Sequence, residues 1–170
     1  MVAAMSLALA LPPAAALAED AKPNDAQIAH VAYTAGEIDI RAARLALQNS
    51  TNQEVRAFAD DMIRDHGAVD DQALALVKKL HVTPEDNDTS RALAKQAEGE
   101  RAELARLDGA ASDKAYAENE VAYHKIVNAA LQTVLIPDAP NPELKDLLAT
   151  GHQIFLGRQR HAERLAQSLP

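Results

Sequence analysis

From Val55 onward the apolar residues Phe58, Met62, Val69, Ala73, Leu76 and Leu80 follow one another at steps of three, four or seven. That spacing keeps all of them on one side of an α-helix and would scatter them over both faces of a strand. Other long stretches of the chain repeat the pattern, each bounded by helix-start and helix-stop residues. Asn24 to Gln27 opens the first helix, and the turn Asn49-Ser50 ends it. Thr51-Asn52-Gln53-Glu54 reads as a capping box for the second, which stops near Leu80 ahead of Thr83-Pro84. A shorter, more polar helix is expected from about Asp88 to Leu107, stopping at Asp108-Gly109. Ser112 is expected to cap a fourth helix that runs to about Leu135, with Pro137 and Pro140 breaking the chain after it. Asn141-Pro142 then supplies an N-cap and a first-turn proline for a last helix that continues almost to Pro170. Few β-branched runs and an aromatic content of 3% leave little from which to build a sheet. The expected fold is all-α: a ferritin-like four-helix bundle with a shorter additional helix in the connection between the second and third long helices. The segment from His81 to Ala111 is either a crossover running the length of the bundle or a corner between neighbours.

Residues 1–18 are of another kind: an uncharged apolar run ending in Ala16-Leu17-Ala18, an A-x-A cleavage pattern directly before Glu19. A secretory signal is expected there, with residues 19–170 as a single bundle domain in the periplasm or associated with the outer membrane. No Lys or Arg precedes the run, which points to a start codon further upstream. The run is too short and too proline-interrupted for the roughly 20 residues of a bilayer-spanning helix, and no transmembrane span is expected elsewhere.

All 25 acidic and 17 basic residues follow the signal, giving a net charge of −8 with no basic run that would track phosphates. Nucleic acid is therefore not an expected partner. Without cysteine the chain has no disulfide, no thiolate ligand and no lipoprotein anchor. Met62 is the single methionine beyond the signal, which argues against a thioether store for Cu(I).

The informative residues are polar ones that fall inside apolar helical arcs, because a buried polar group needs a partner. On the first helix Asp39 falls among Ile28, Ala32, Ala35, Ala43 and Ala46, whereas His30, Thr34, Glu37, Arg41, Arg44 and Gln48 share the outward face. On the second, His66 sits between Met62 and Val69, while Asp60, Arg64, Gly67 and Asp71 face away. On the fourth, Glu120 and His124 lie four residues apart on the side of Ala117, Val121, Val127, Leu131 and Leu135. On the last, the stripe Leu147, Ile154, Leu165 and Leu169 takes in Arg158 near its centre and His161 at its edge. His30, His81 and His152 are expected at the surface. At 1.5 Å per residue, Asp39 and His66 fall about 16 and 23 Å from the turn near Ser50, and with a crossover His124 and Arg158 fall about 15 to 18 Å from the same end.

Asp39, His66, Glu120, His124 and His161 thus form a candidate ligand set for a transition-metal ion (Zn, Cu, Fe or Mn) or for a small ligand in a polar pocket. The same residues also suit a purely structural hydrogen-bonded network, with Arg158 neutralising Asp39 or Glu120. The paired Glu-x-x-His signature of dimetal carboxylate proteins does not occur. No nucleophile motif is present, and no enzyme is expected.

The sequence resembles the domain-of-unknown-function 4142 family, ferritin-like exported bacterial proteins often labelled membrane or outer-membrane proteins. The resemblance rests on Asp39-Ile40, on Glu54-Val55-Arg56-Ala57-Phe58-Ala59 followed by Met62-Ile63-Arg64-Asp65-His66, and on Leu107-Asp108-Gly109 leading through Asp113 and Tyr116 to His124. His161 with Leu165 completes it. Ser112 stands where the family tends to have Phe, and Asp39 where it tends to have Glu. The resemblance implies a ferritin-like bundle outside the cytoplasm and no established reaction. Two function classes follow: a bundle that binds a metal or small ligand in its core, and a non-catalytic structural or interaction protein of the cell envelope.

Overall fold

The computed structural model describes residues 22–170, so the expected cleavage site lies outside the described residues. All regular structure among those residues is helical: α1 (Asp25–Asn49), α2 (Gln53–Lys79), α3 (Asp88–Leu104), α4 (Gly109–Ala130), a π turn (Leu131–Leu135), α5 (Ile136–Asp138) and α6 (Pro142–Ser168). No helix among them is long and apolar enough to cross a membrane.

Local chemistry explains most boundaries. Asn24 and Gln27 form a reciprocal capping box at the start of α1, and Asn141 with Pro142 opens α6 as the sequence suggests. Two caps differ from expectation. Asn52, not Thr51, caps α2, because its side chain reaches the Glu54 and Val55 amides. Helix α4 begins at Gly109, which takes the left-handed φ of 55° that a non-glycine residue adopts only with strain, and Ser112 is buried within the first turn. Pro137 does not stop the chain either. Its ring would clash with the Thr133 carbonyl in a regular α-helix, and the helix widens into a π turn over just that stretch before ending at extended Ala139, ahead of Pro140.

End-to-end contacts fix the topology. The Glu85 amide donates to the Ala26 carbonyl, and the Asn49 side chain donates to the Leu107 carbonyl, so α3 lies along α1 in the same direction. The segment after α2 is therefore a full-length crossover. Lys22 with Asp138 and Asp25 with Asn141 join the start of α1 to the turn before α6, and Ser168 meets Glu54 at the other end. The helices pack as the ring α1, α2, α6, α4, every neighbour antiparallel, with α2 and α4 diagonal across the core. This is the ferritin-like arrangement. One aliphatic and aromatic cluster, around Phe58, Met62, Tyr116 and Leu165, fills the end near the α1–α2 turn. A second, around Ile28, Leu131, Leu148 and Phe155, fills the other.

Candidate metal centre

Between those clusters four polar side chains are almost wholly shut off from solvent: Asp39, Glu120 and His124 at 1% exposure and His66 at 2%. Each occupies an apolar helical arc, so folding the bundle places them in one layer whatever their chemistry. The two imidazoles meet edge to face, with ring centres 5.7 Å apart, across the diagonal between α2 and α4. The His66 ring is also stacked flat on Phe155 of α6 at 4.3 Å, which fixes its plane.

Asp39 Oδ2 lies 2.8 Å from His66 Nε2 and 3.6 Å from His124 Nε2. Donor atoms from Asp39, His66 and His124 all lie within 4.8 Å of one another. The shortest of these contacts has the length of a hydrogen bond without its direction, and none of the three atoms has a hydrogen-bond partner. His124 explains why. Its Nδ1 lies 3.0 Å from the Glu120 backbone carbonyl, which only accepts, so the proton sits on Nδ1 and the Nε2 lone pair faces the Asp39 carboxylate. Two acceptors face each other beside a cavity, and a cation, a proton or a bridging hydrogen-bond donor reconciles them.

Charge is divided unequally among these groups. Burial alone would raise the Asp39 pKa, but the neighbouring His66 and His124 hold the carboxyl below its ordinary value. Burial and then the charge on Asp39 push Glu120 well above the usual range, so of the two carboxyls Glu120 is the one that holds a proton more readily. Burial also lowers the His124 pKa against the pull of Asp39, keeping that imidazole neutral with its lone pair free. The arrangement is one carboxylate and two imidazoles, beside the buried Glu120 carboxyl. A cavity of ≈ 40 Å³ adjoins the three donors and is otherwise walled mostly by aliphatic side chains such as Val69, Leu131 and Leu148.

The family model described as "Domain of unknown function (DUF4142)" matches residues 10–165. The chain belongs to the DUF4142 family. Among solved structures this DUF4142 chain is similar to one titled "CopM in the Cu(II)-bound form", with a TM-score of 0.64 and 14% identity over 86% of this chain and 97% of that one. At that identity the likeness is one of fold. No curated protein matches the sequence.

Other residues of this DUF4142 chain are placed differently from the sequence reading. His161 is half-buried and sets its ring edge-on to Phe58 at 5.0 Å, outside the grouping of Asp39, His66 and His124. Arg158 neutralises neither Asp39 nor Glu120. It pairs instead with Asp61 and Asp65 on α2, where the Asp61 contact is 2.8 Å. The reason is the phase of α6: its buried face is Leu144, Leu148, Gly151, Phe155, Ala162 and Leu165, leaving Leu147 and Ile154 only half-buried and turning Arg158 toward the α2 boundary. The same shift buries His152, which was expected at the surface. The face of α1 bearing His30, Thr34 and Glu37 is half-covered rather than open, because α3 lies across it. Sequence reasoning also missed Asp70, buried on α2 four residues after His66. Tyr123 packs at the core edge, and its hydroxyl donates to the Ala35 carbonyl at 2.9 Å.

Proposed function

We propose that this protein is an exported, non-catalytic metal-binding bundle that holds one divalent transition-metal ion, Cu(II) before Zn(II), between Asp39 Oδ2, His66 Nε2 and His124 Nε2. The observation that carries the reading is the convergence of three buried donor atoms that make no aligned hydrogen bond to each other or to any other group among the described residues. Metal–nitrogen and metal–oxygen bonds of about 2.0 to 2.2 Å set two ligands of one ion roughly 3 to 3.5 Å apart, well off each other's lone-pair axes. The 2.8 and 3.6 Å separations bracket that spacing. The Glu120 backbone carbonyl fixes the His124 tautomer, as outer-shell partners of ligands do. Imidazole and carboxylate donors without thiolate suit Cu(II), which tops the affinity series for divalent ions. The similar fold titled in its Cu(II)-bound form points the same way. When bound, the ion would supply the positive charge that the facing acceptors lack.

Titration of tag-free, chelator-stripped protein with Cu(II) and Zn(II) tests this. One ion should bind per chain and raise the melting temperature, with about 2.7 kcal/mol of added stability at a hundredfold excess over Kd. A His66→Ala/His124→Ala double variant should lose both effects. Wild-type binding should weaken on acidification, because protonated imidazole cannot ligate, and the lowered His124 pKa carries that ligand's loss below the ordinary imidazole range. A melting temperature indifferent to metal, or full binding by the double variant, overturns the proposal and leaves the buried structural network.

A further inference from the structure

Along the same cavity lies a fourth buried ionisable group that the three ligands do not account for. Asp70 follows His66 by one turn on the same face of α2, is 7% exposed, and has neither a cation partner nor a hydrogen bond among the described residues. Its carboxylate is seated directly on the backbone of α1 at Gly36. A Cβ added at Gly36 would fall 2.5 Å from Asp70 Oδ1 and 2.6 Å from Oδ2, so only glycine lets the carboxylate occupy that place. A glycine inside a helix and an unpartnered buried carboxylate are both destabilising, and here they coincide. Burial, followed by the charges of Glu37, Asp71 and Asp39 against the opposing pull of His66, raises the Asp70 pKa to about 7. Half-buried Glu37, which adjoins Gly36 and lies 3.5 Å from Arg41, and exposed Asp71 are the carboxylates next in the chain to this seat on the solvent side. Besides Asp70, the ionisable side chains on the cavity wall are Asp39, His66, His124 and Tyr123.

We propose that Asp70 is the transfer ligand of the metal centre, a carboxylate that receives a divalent cation from Glu37 and Asp71 at the surface and passes it across the cavity to His66. The inference rests on the metal reading given above. A bare dication moving past aliphatic walls would lose its hydration with nothing in exchange, and a carboxylate part-way along lowers that barrier in both directions. Asp70 is outside the set of mutually close donors, so it acts on rates more than on the final affinity.

Stopped-flow mixing of apoprotein with Cu(II), and release of Cu(II) to excess chelator, read the two directions. Asp70→Asn should slow loading and release alike by about tenfold or more, the effect of a modestly higher barrier, with a far smaller change in Kd. Gly36→Ala, which drives the Asp70 carboxylate from its seat without altering charge, should slow both in the same way and covers the case in which Asp70→Asn fails to fold. Unchanged rates in both variants overturn the proposal. So does a large loss of affinity at an unchanged loading rate, which would make Asp70 a ligand of the bound ion. A wild-type chain that binds no Cu(II) removes the metal reading itself, whereas failure of the transfer role alone leaves wild-type binding intact.

Discussion

In the half of the core nearest the α1–α2 turn, Val55, Phe58, Ala59 and Met62 have no solvent exposure at all, and small residues such as Ala43, Ala117 and Ala162 gather around them. The other half has the same helices and a comparable number of aliphatic side chains, yet it contains the cavity, the naked carboxylate of Asp70, the two buried glycines of α1 and α6, and the π turn of the α4 extension. Small residues in the first half make room for Phe58 and Tyr116; in the second, Ala29, Ala32, Ala35, Gly36 and Gly151 border empty space. Helix packing therefore does not require the space, since the neighbouring half shows the same bundle closing without it. The open half tolerates features that stability alone would remove, and these features surround the three donors.

Phe58→Ala should produce the largest loss of stability, about 3 to 5 kcal/mol, because its fully buried ring contacts both Tyr116 and His161 and leaves a void that the bundle cannot refill. Denaturant titration measures this. If the halves are separate in function, Cu(II) affinity of the folded variant stays at the wild-type value; a parallel fall in affinity would show that the closed half positions the ligands.

Asp70 gives the next largest effect and a pH signature. Its carboxyl has an ordinary value of 3.8 and a folded value of about 7, so its contribution to the stability of the metal-free protein is fully present below pH 3.8 and is lost as pH rises through about 7. Asp39 runs the other way: its depressed pKa stabilises the fold above its ordinary value, and that contribution disappears on acidification below it. Replacing Asp70 by Asn should flatten the decline between about pH 4 and 7 and leave the apoprotein about 2 to 4 kcal/mol more stable at pH 8. Glu120, raised mainly by burial, leaves a residual slope of the same sign. Thermal melts across this range decide it, and an Asp70→Asn variant that keeps the wild-type slope would show that the buried carboxyl titrates normally.

The bundle and much of its centre were legible in the sequence because they rest on periodicity. Asp39, His66, Glu120 and His124 interrupt well-formed apolar arcs, and a helix offers such residues no exit from the core. Helix α6 was read less well. Its Leu147 and Ile154 are as apolar as Leu148 and Phe155, so composition alone left its phase one residue off and carried Arg158 inward with it. Asp70 was hidden for a different reason: its burial depends on Gly36, a missing side chain on another helix, and no pattern along α2 reports what α1 lacks. The full-length path of α3 likewise depends on contacts between segments far apart in the chain, such as Asn49 with Leu107.

The smallest expected effect tests whether the open half is space held deliberately or space merely left over. A Cβ at Gly151 would meet the Phe155 ring and Val69 Cγ1 at 3.5 Å each, ordinary van der Waals contact, unlike the collision that Gly36 would suffer. Gly151→Ala should therefore fit without strain and add helix propensity, raising stability by about 0.5 to 1 kcal/mol. Because Gly151 borders the cavity on the side of the Phe155 ring that supports His66, the new methyl group trims the chamber without touching a donor atom. A higher melting temperature with unchanged Cu(II) affinity would mean that the glycine is kept for access or for room beside the ion, not for the fold. A lower melting temperature would mean that α6 already sits at its closest approach to α2, and that the contrast between the halves is one of shape rather than of packing left undone.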